Sequence, residues 1–362
     1  MFNPDRLSLA RRRRGLTQIG LASALGVARL TVYRYESGQV DPPEHVLDKC
    51  AAVLKFPVSF FCGPTIEEPN PQSASFRGLT EMTARERDAA LAGGALGFLL
   101  DDWVNERFRF PEPNIPDLSG EEPEVAARLL RQELAIGDRP IKSMVRLLEA
   151  IGVRVFSLAE ETRSVDAFSL WRRGGPYVFL NTFKTTERSR YDAAHELGHL
   201  ALHKHGGPAG RKAEEEANQF ASAFLMPEAD VTATCRRISN VQQILSCKGR
   251  WGVAAVALNF RLHKLDCISP WLYRQFAIQL TKLGFRTAEP GGLAPEKSAI
   301  WQQVFDSLRA EGKSKHKIAE EVDLPAFEIE NLLFQLANWM TLDGGGTGSG
   351  KARGQLRLIE NE

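Results

Sequence analysis

No CxxC pair occurs in this sequence, and its five cysteines (Cys50, Cys62, Cys235, Cys247 and Cys267) are scattered. An odd, dispersed set excludes a disulfide framework and reads as reduced thiols in a cytoplasm. Long apolar runs are also missing. None approaches the ~18 residues that a membrane span needs. The basic residues near the start are not followed by an apolar core of signal-peptide length, so a cytoplasmic protein without a membrane partner is expected. Charge of one sign is lacking too. The formal net charge is +1, so contact with nucleic acid must come from a local basic patch rather than a global field. What remains is an ordinary globular composition, 43% hydrophobic and 25% charged over 362 residues. That length suits two or three domains.

The basic patch is at the N-terminus. Residues 1–60 hold nine Lys and Arg against five Asp and Glu. In "RLSLARRRRGLTQIGLASALGVARLTVYRYESGQVDPP", Leu7, Leu9 and Ala10 belong to a first short helix that Gly15 ends. Thr17 is a good N-cap for a second helix, with Leu21, Ala22 and Leu25 inward. Gly26 supplies a left-handed turn. A third helix is expected from about Ala28 to Ser37, with Val32 and Tyr35 inward. Two helices about a glycine turn make a helix-turn-helix, whose second helix enters the DNA major groove. Arg29, Thr31 and Arg34 are the candidate base-reading residues, because arginine can bridge guanine O6 and N7. Gln18 and Arg11 to Arg14 are placed for phosphates. The pattern TQxxLAxxLGVxxxTVxRYExG resembles the phage-repressor (XRE) helix-turn-helix, a five-helix type of domain. Gly20 and Ala28 depart from it, at a helix position and at a cap. The resemblance implies a double-stranded DNA operator as partner and a homodimer reading two half-sites.

"GPTIEEPNPQSAS" (63–75) reads as a linker. The stretch 83–108 spaces its apolar residues for a long helix, weakened near Gly93 and Gly94. "PEVAARLLRQEL" and "PIKSMVRLLEAIG" read as amphipathic helices entered by prolines. "VRVFSL", "DAFSLW" and "YVFLN" read as strands of a small sheet.

The next helix, starting near Lys184 or Thr185, carries "HELGHLALHKH" (195–205), with four histidines in eleven residues. His195 and His199 stand one turn apart on one helical face, so both imidazoles can reach one ion. Glu196 lies beside them, where it can take a proton from water. HExxH on a helix is the pattern of a zinc-dependent hydrolase. The third ligand decides the class of site. His203 lies about 12 Å along the axis from His195 at ~1.5 Å per residue, too far for the same ion. His205 stands where HExxHxxGxxH has its third histidine, but Leu202 occupies the glycine position, and Gly206 and Gly207 come too late. "AEEEANQFASAFLMPE" offers a second buried helix, with Glu214 at its start. A glutamate from a crossing helix completes a His₂Glu site with an open position. Asn218, one turn on, is expected to hold a ligand histidine from behind. Glu215 and Glu216 look solvated, though spacing alone leaves Glu215 open as the ligand. For oxyanion stabilisation the side chains to weigh are Tyr191 and His203.

HELGHLALH with EEEANQFASAFLMPE, preceded by RSRYDAAHE, resembles the ImmA/IrrE family of metallopeptidases over about residues 120–265. The resemblance implies a minimal zincin-like fold, ligands His195, His199 and Glu214 with Glu196 as base, and cleavage of a partner protein, typically a helix-turn-helix repressor. Zinc is the expected cofactor; the sequence does not choose between it and manganese.

The expected fold is α+β, mainly helical with a small sheet. The expected spans are a helix-turn-helix domain at 1–62, linker and long helix at 63–118, and the metallopeptidase domain at 119–265. A helical C-terminal region at 266–342 and a flexible tail at 343–362 follow. "SKHKIAEEVDLPAFEIENLLF" within it echoes the N-terminal motif, but Glu328 and Glu330 would repel phosphates, which favours packing or dimerisation. "GGGTGSGKA" meets GxxxxGK but ends in Ala352, without a hydroxyl for Mg²⁺. Two functions follow. One is a DNA-bound regulatory metallopeptidase. The other is a transcription regulator or antitoxin whose zincin-like domain senses a ligand or partner and cuts nothing.

Overall fold

Local capping sets the N-terminal helices where the sequence places them. The computed structural model describes residues 1–70, 75–76, 83–158, 165–204, 210–338, 342 and 357–358. Asn3 caps the helix Pro4–Arg13, and Thr17 caps Gln18–Leu25 by accepting from the Gly20 amide at 3.0 Å. Gly26 ends the second helix with φ +73°, a conformation glycine adopts without a Cβ penalty. The third helix, Arg29–Glu36, follows without a side-chain cap, because Ala28 has no oxygen to offer. Glu44–Leu54 and a 3₁₀ turn, Val58–Cys62, complete the five-helix domain. Leu7, Leu21, Val32, Leu54 and Phe60 are fully buried in its core.

The chain divides into two compact units. One comprises Met1–Pro111, Phe156–Asp166 and Ala299–Glu362; the other Glu112–Val155 and Ala167–Ser298. In the first unit the long helix is Ala84–Asn105, opened by a capping box between Thr83 and Glu86. It runs unbroken through Gly93 and Gly94. A Cβ on Gly93 would come within 3.1 Å of the Arg13 guanidinium, so that glycine gives room to a neighbouring helix rather than breaking its own.

The arginine run also differs from expectation. Arg11 grips Glu36 at 2.5 and 3.1 Å, and Arg12 grips Glu68 at 2.5 and 2.6 Å. Arg13 reaches Glu328 at 2.6 Å, and Arg14 bonds the other oxygen of the same carboxylate. These four guanidinium groups are each paired with a carboxylate of the same unit. The proline-rich stretch after Cys62 is not a free linker over its described part either. Asn3 donates to the Gly63 carbonyl at 2.8 Å, Arg6 donates to that of Pro64 at 2.7 Å, and Glu68 holds Arg12. Each bond ties the stretch to the first helix.

The C-terminal echo of the helix-turn-helix forms Lys315–Val322, a left-handed turn at Asp323 and Ala326–Leu332. Its second helix turns Glu328 inward, at 0% exposure, onto Arg13 and Arg14. That is a packing role. The P-loop-like GGGTGSGKA lies outside the described residues, as does the tail 343–362 apart from the two-residue strand Arg357–Leu358.

In the second unit the small mixed sheet has the strands Ala167–Arg172 and Gly175–Leu180, and next to the latter the strand that begins at Arg154. The first two form an antiparallel hairpin, Phe168 opposite Phe179. Arg173 and Gly174 join them, both with positive φ, as a two-residue turn of the primed type requires. The helices Pro123–Glu133 and Met144–Ala150 precede the sheet. Ser143 caps the second of these, so it begins later than the proline entry expected at Pro140. The HExxH helix, Thr186–Leu202, packs on the hairpin and on the helix Arg211–Leu225. Among the described residues no helix is long and apolar enough to cross a membrane.

Candidate metal centre and DNA-reading face

Two buried helices build the metal centre. Arg190 anchors the first: it donates to the carbonyls of Ile141 at 2.8 Å and Gly252 at 3.0 Å, and it also pairs with Glu296. The second helix crosses so closely that a Cβ on Gly198 would meet Phe220 at 3.0 Å and the Ala217 Cα at 3.3 Å. Gly198 is one of the two unspecified positions of HExxH, and here it sets the approach of the helices.

That approach brings three ligand atoms together. The Nε2 atoms of His195 and His199 lie 3.1 Å apart, and the Glu214 carboxylate oxygens stand 3.3 Å from His195 Nε2 and 3.4 Å from His199 Nε2. Two ligands of a tetrahedral ion at ~2.0–2.1 Å are separated by about 3.3 Å. The three side chains therefore converge at the spacing one ion needs, with one ligand atom from each within 4.8 Å of the others, and two imidazoles with a carboxylate are a donor set that suits a divalent metal. Among the described residues this is the one group of three His, Cys, Asp or Glu side chains converging in this way.

Protonation suits the same role. Burial pushes the His199 imidazole down to about 4, against the pull of Glu214, so it is neutral and has a lone pair to give. Burial alone would raise the Glu214 carboxyl, but the adjoining imidazoles of His195 and His199 outweigh it and hold it at about 2. Glu196 is fully buried beside them and accepts a 2.6 Å hydrogen bond from the Ser169 hydroxyl on the hairpin strand. Sequence reasoning missed Ser169. It lies on a strand 27 residues earlier, and no local pattern links it to the motif.

The other expected residues are placed differently. Asn218 donates to the Glu214 carbonyl of its own helix at 2.8 Å, not to an imidazole. The partner of a ligand histidine is instead His203, whose Nδ1 lies 3.0 Å from His199 Nδ1. Glu216, expected to be solvated, has an oxygen 3.0 Å from His203 Nε2. Glu215 is exposed and pairs with Arg211 at 2.8 Å. The Tyr191 hydroxyl donates to the Asn218 carbonyl at 3.0 Å. His205 lies outside the described residues.

On the third N-terminal helix, Arg29 and Arg34 are exposed and Thr31 is half-buried. Tyr33, 48% exposed, shares that helix and was not singled out from sequence. Gln18 donates to Glu36 at 2.9 Å, which commits its amide within the domain.

Comparison with known families agrees with this division. Residues 148–263 match the family described as IrrE N-terminal-like domain, Peptidase_M78, and residues 7–61 match the one described as Helix-turn-helix. A search of curated proteins finds no match. The chain thus combines an N-terminal helix-turn-helix domain with an IrrE N-terminal-like domain of the M78 metallopeptidase type.

Proposed function

We propose that this protein is a DNA-binding regulatory metallopeptidase that cleaves a specific protein partner, a repressor of the helix-turn-helix class. The observation that carries the reading is the His195–His199–Glu214 triangle with the buried Glu196 carboxylate beside it. A zinc ion held there supplies Lewis acidity toward water and a peptide carbonyl; manganese would serve the same donors. His195, His199 and Glu214 would hold the ion. Glu196 takes a proton from the attacking water and returns it to the departing amine. Ser169 donates to one carboxylate oxygen and fixes the direction in which the other can act. Arg29, Thr31, Arg34 and Tyr33 read the operator, and a homodimer places two such helices on its half-sites.

The test is cleavage of candidate repressors, including the product of a neighbouring gene, by the purified full chain, with and without chelator and single-stranded DNA. Chelator-sensitive cutting by the native chain, and none by a Glu196→Gln variant that still binds zinc, supports the proposal. Full activity of that variant would remove Glu196 as the base.

A second reading has an observation of its own. His195 and Glu196 are 0% exposed and His199 is 7% exposed, so a polypeptide reaches them only after an opening. In this reading the protein is a transcription regulator or antitoxin whose zincin-like domain senses a partner. Operator binding with no cutting of any partner would favour it.

A further inference from the structure

His203 is excluded as a ligand by its distance along the helix, yet it is not idle. It ends the HExxH helix as its C-cap, its side chain 10% exposed. Its Nδ1 faces His199 Nδ1 at 3.0 Å, and its Nε2 faces a Glu216 oxygen at 3.0 Å. The other Glu216 oxygen lies 3.6 Å from the Lys212 ammonium one turn back.

The hydrogen positions along this row follow from chemistry. A histidine that gives its Nε2 lone pair to an ion carries its proton on Nδ1, and that proton needs an acceptor. Next to His199 Nδ1 stands another imidazole. It can accept at Nδ1 only with its own proton on Nε2, and that proton in turn needs an acceptor, which Glu216 supplies. Each contact then has one donor and one acceptor: His199 Nδ1–H to His203 Nδ1, and His203 Nε2–H to the Glu216 carboxylate. One helix thereby serves the centre twice, with Glu214 facing the ligand triangle and Glu216 closing the row behind it.

The geometry points to His203 and Glu216 as positioning residues that lock the ring orientation and tautomer of His199 for metal binding. The inference rests on the metal-binding part of the reading above and is independent of whether any peptide is cut. Two consequences set it apart from simple packing. The effect appears in metal affinity more than in stability of the metal-free chain. The two residues also act in series, so their losses do not add.

The experiment is zinc affinity of the full chain by competition with a coloured chelator, for the native protein, His203→Ala, Glu216→Ala and the double variant. Thermal unfolding of each metal-free form runs alongside. His203→Ala is expected to bind zinc about 10- to 100-fold more weakly. The double variant should bind no more weakly than His203→Ala. His203→Asn, whose amide oxygen can accept from His199 Nδ1–H, should recover part of the loss. Nitrogen-15 histidine spectra of the metal-free chain should show His199 as a single Nδ1–H tautomer, becoming a mixture in His203→Ala. Native-like zinc affinity in His203→Ala would overturn the inference, as would a lowered unfolding temperature with unchanged affinity. A native chain that binds no zinc would overturn this inference together with the metal centre. Zinc binding without proteolysis leaves the inference standing and removes only the peptidase.

Discussion

Replacing Gly198 by alanine sets two opposed effects against each other. In a helix interior, glycine to alanine stabilises by about 1 kcal/mol. Against that, an added Cβ lies 3.0 and 3.2 Å from Phe220 ring carbons and 3.3 Å from the Ala217 Cα. Overpacking a closed core costs about 1–3 kcal/mol. The outcome depends on whether the neighbours can give way. Phe220 is fully buried and stacked on Phe224 with ring centroids 5.4 Å apart, and the Ala217 contact is backbone. Neither can move without the whole helix, so overpacking wins, with a net loss of about 1 kcal/mol and a fall of about 2–4 °C in unfolding temperature. The same shift carries Glu214 away from His195 and His199. Metal sites tolerate only about 0.2 Å in ligand distance, so a displacement of a few tenths of an ångström should weaken zinc by about tenfold or more. Chelator competition and unfolding of the metal-free chain read the two effects separately. A Gly198→Ala protein that is more stable, with native zinc affinity, would refute the reasoning.

Three other outcomes follow from the geometry. Ser169→Ala removes a hydrogen bond to the Glu196 carboxylate, worth about 1.5–3 kcal/mol for a charged acceptor; kcat/KM for a cleaved repressor should fall about tenfold or more with zinc affinity unchanged. Glu328→Ala strands Arg13 and Arg14, and breaking a buried pair costs about 3–5 kcal/mol in unfolding free energy. Burial would raise the Glu328 carboxyl, but Arg13 and Arg14 outweigh burial and hold it below 4.5. Its stabilisation is therefore complete above about pH 4.5 and is lost as pH falls through the depressed folded value, so the variant's unfolding curve should lack that acid-side decline. Arg34→Ala should weaken operator binding by about 1–3 kcal/mol in a titration, whereas Arg12→Ala should leave the salt dependence of binding unchanged, because Glu68 already occupies that guanidinium.

How much could be read in advance depended on how far apart the partners are in sequence. His195 and His199 are neighbours on a helix by spacing alone, and the crossing helix with Glu214 announces itself by its apolar period. By rise along the helix His203 reads as too far from His195 to share an ion. The same count, however, places it one turn from His199, which is the contact the structure uses. Ser169 and Glu216 carry no local signal, because their partners are fixed by the packing of separate elements. The arginine run shows the same limit. As a string, Arg11 to Arg14 looks like a row for phosphates, but the acids that occupy it stand 25, 56, 315 and 314 residues away. Gly93 reads as a weak point until Arg13 is seen beside it.

The clamp of Arg13 and Arg14 on Glu328 has a bearing on biosynthesis. The ribosome makes the N-terminal helices before the acid that braces the first of them, which comes more than three hundred residues later. In between it must make the whole metallopeptidase segment. A nascent or prematurely terminated polypeptide therefore carries two uncompensated cations on its first helix until the distal carboxylate emerges. The brace on the first helix is therefore a contact that local folding of the N-terminal segment cannot supply by itself.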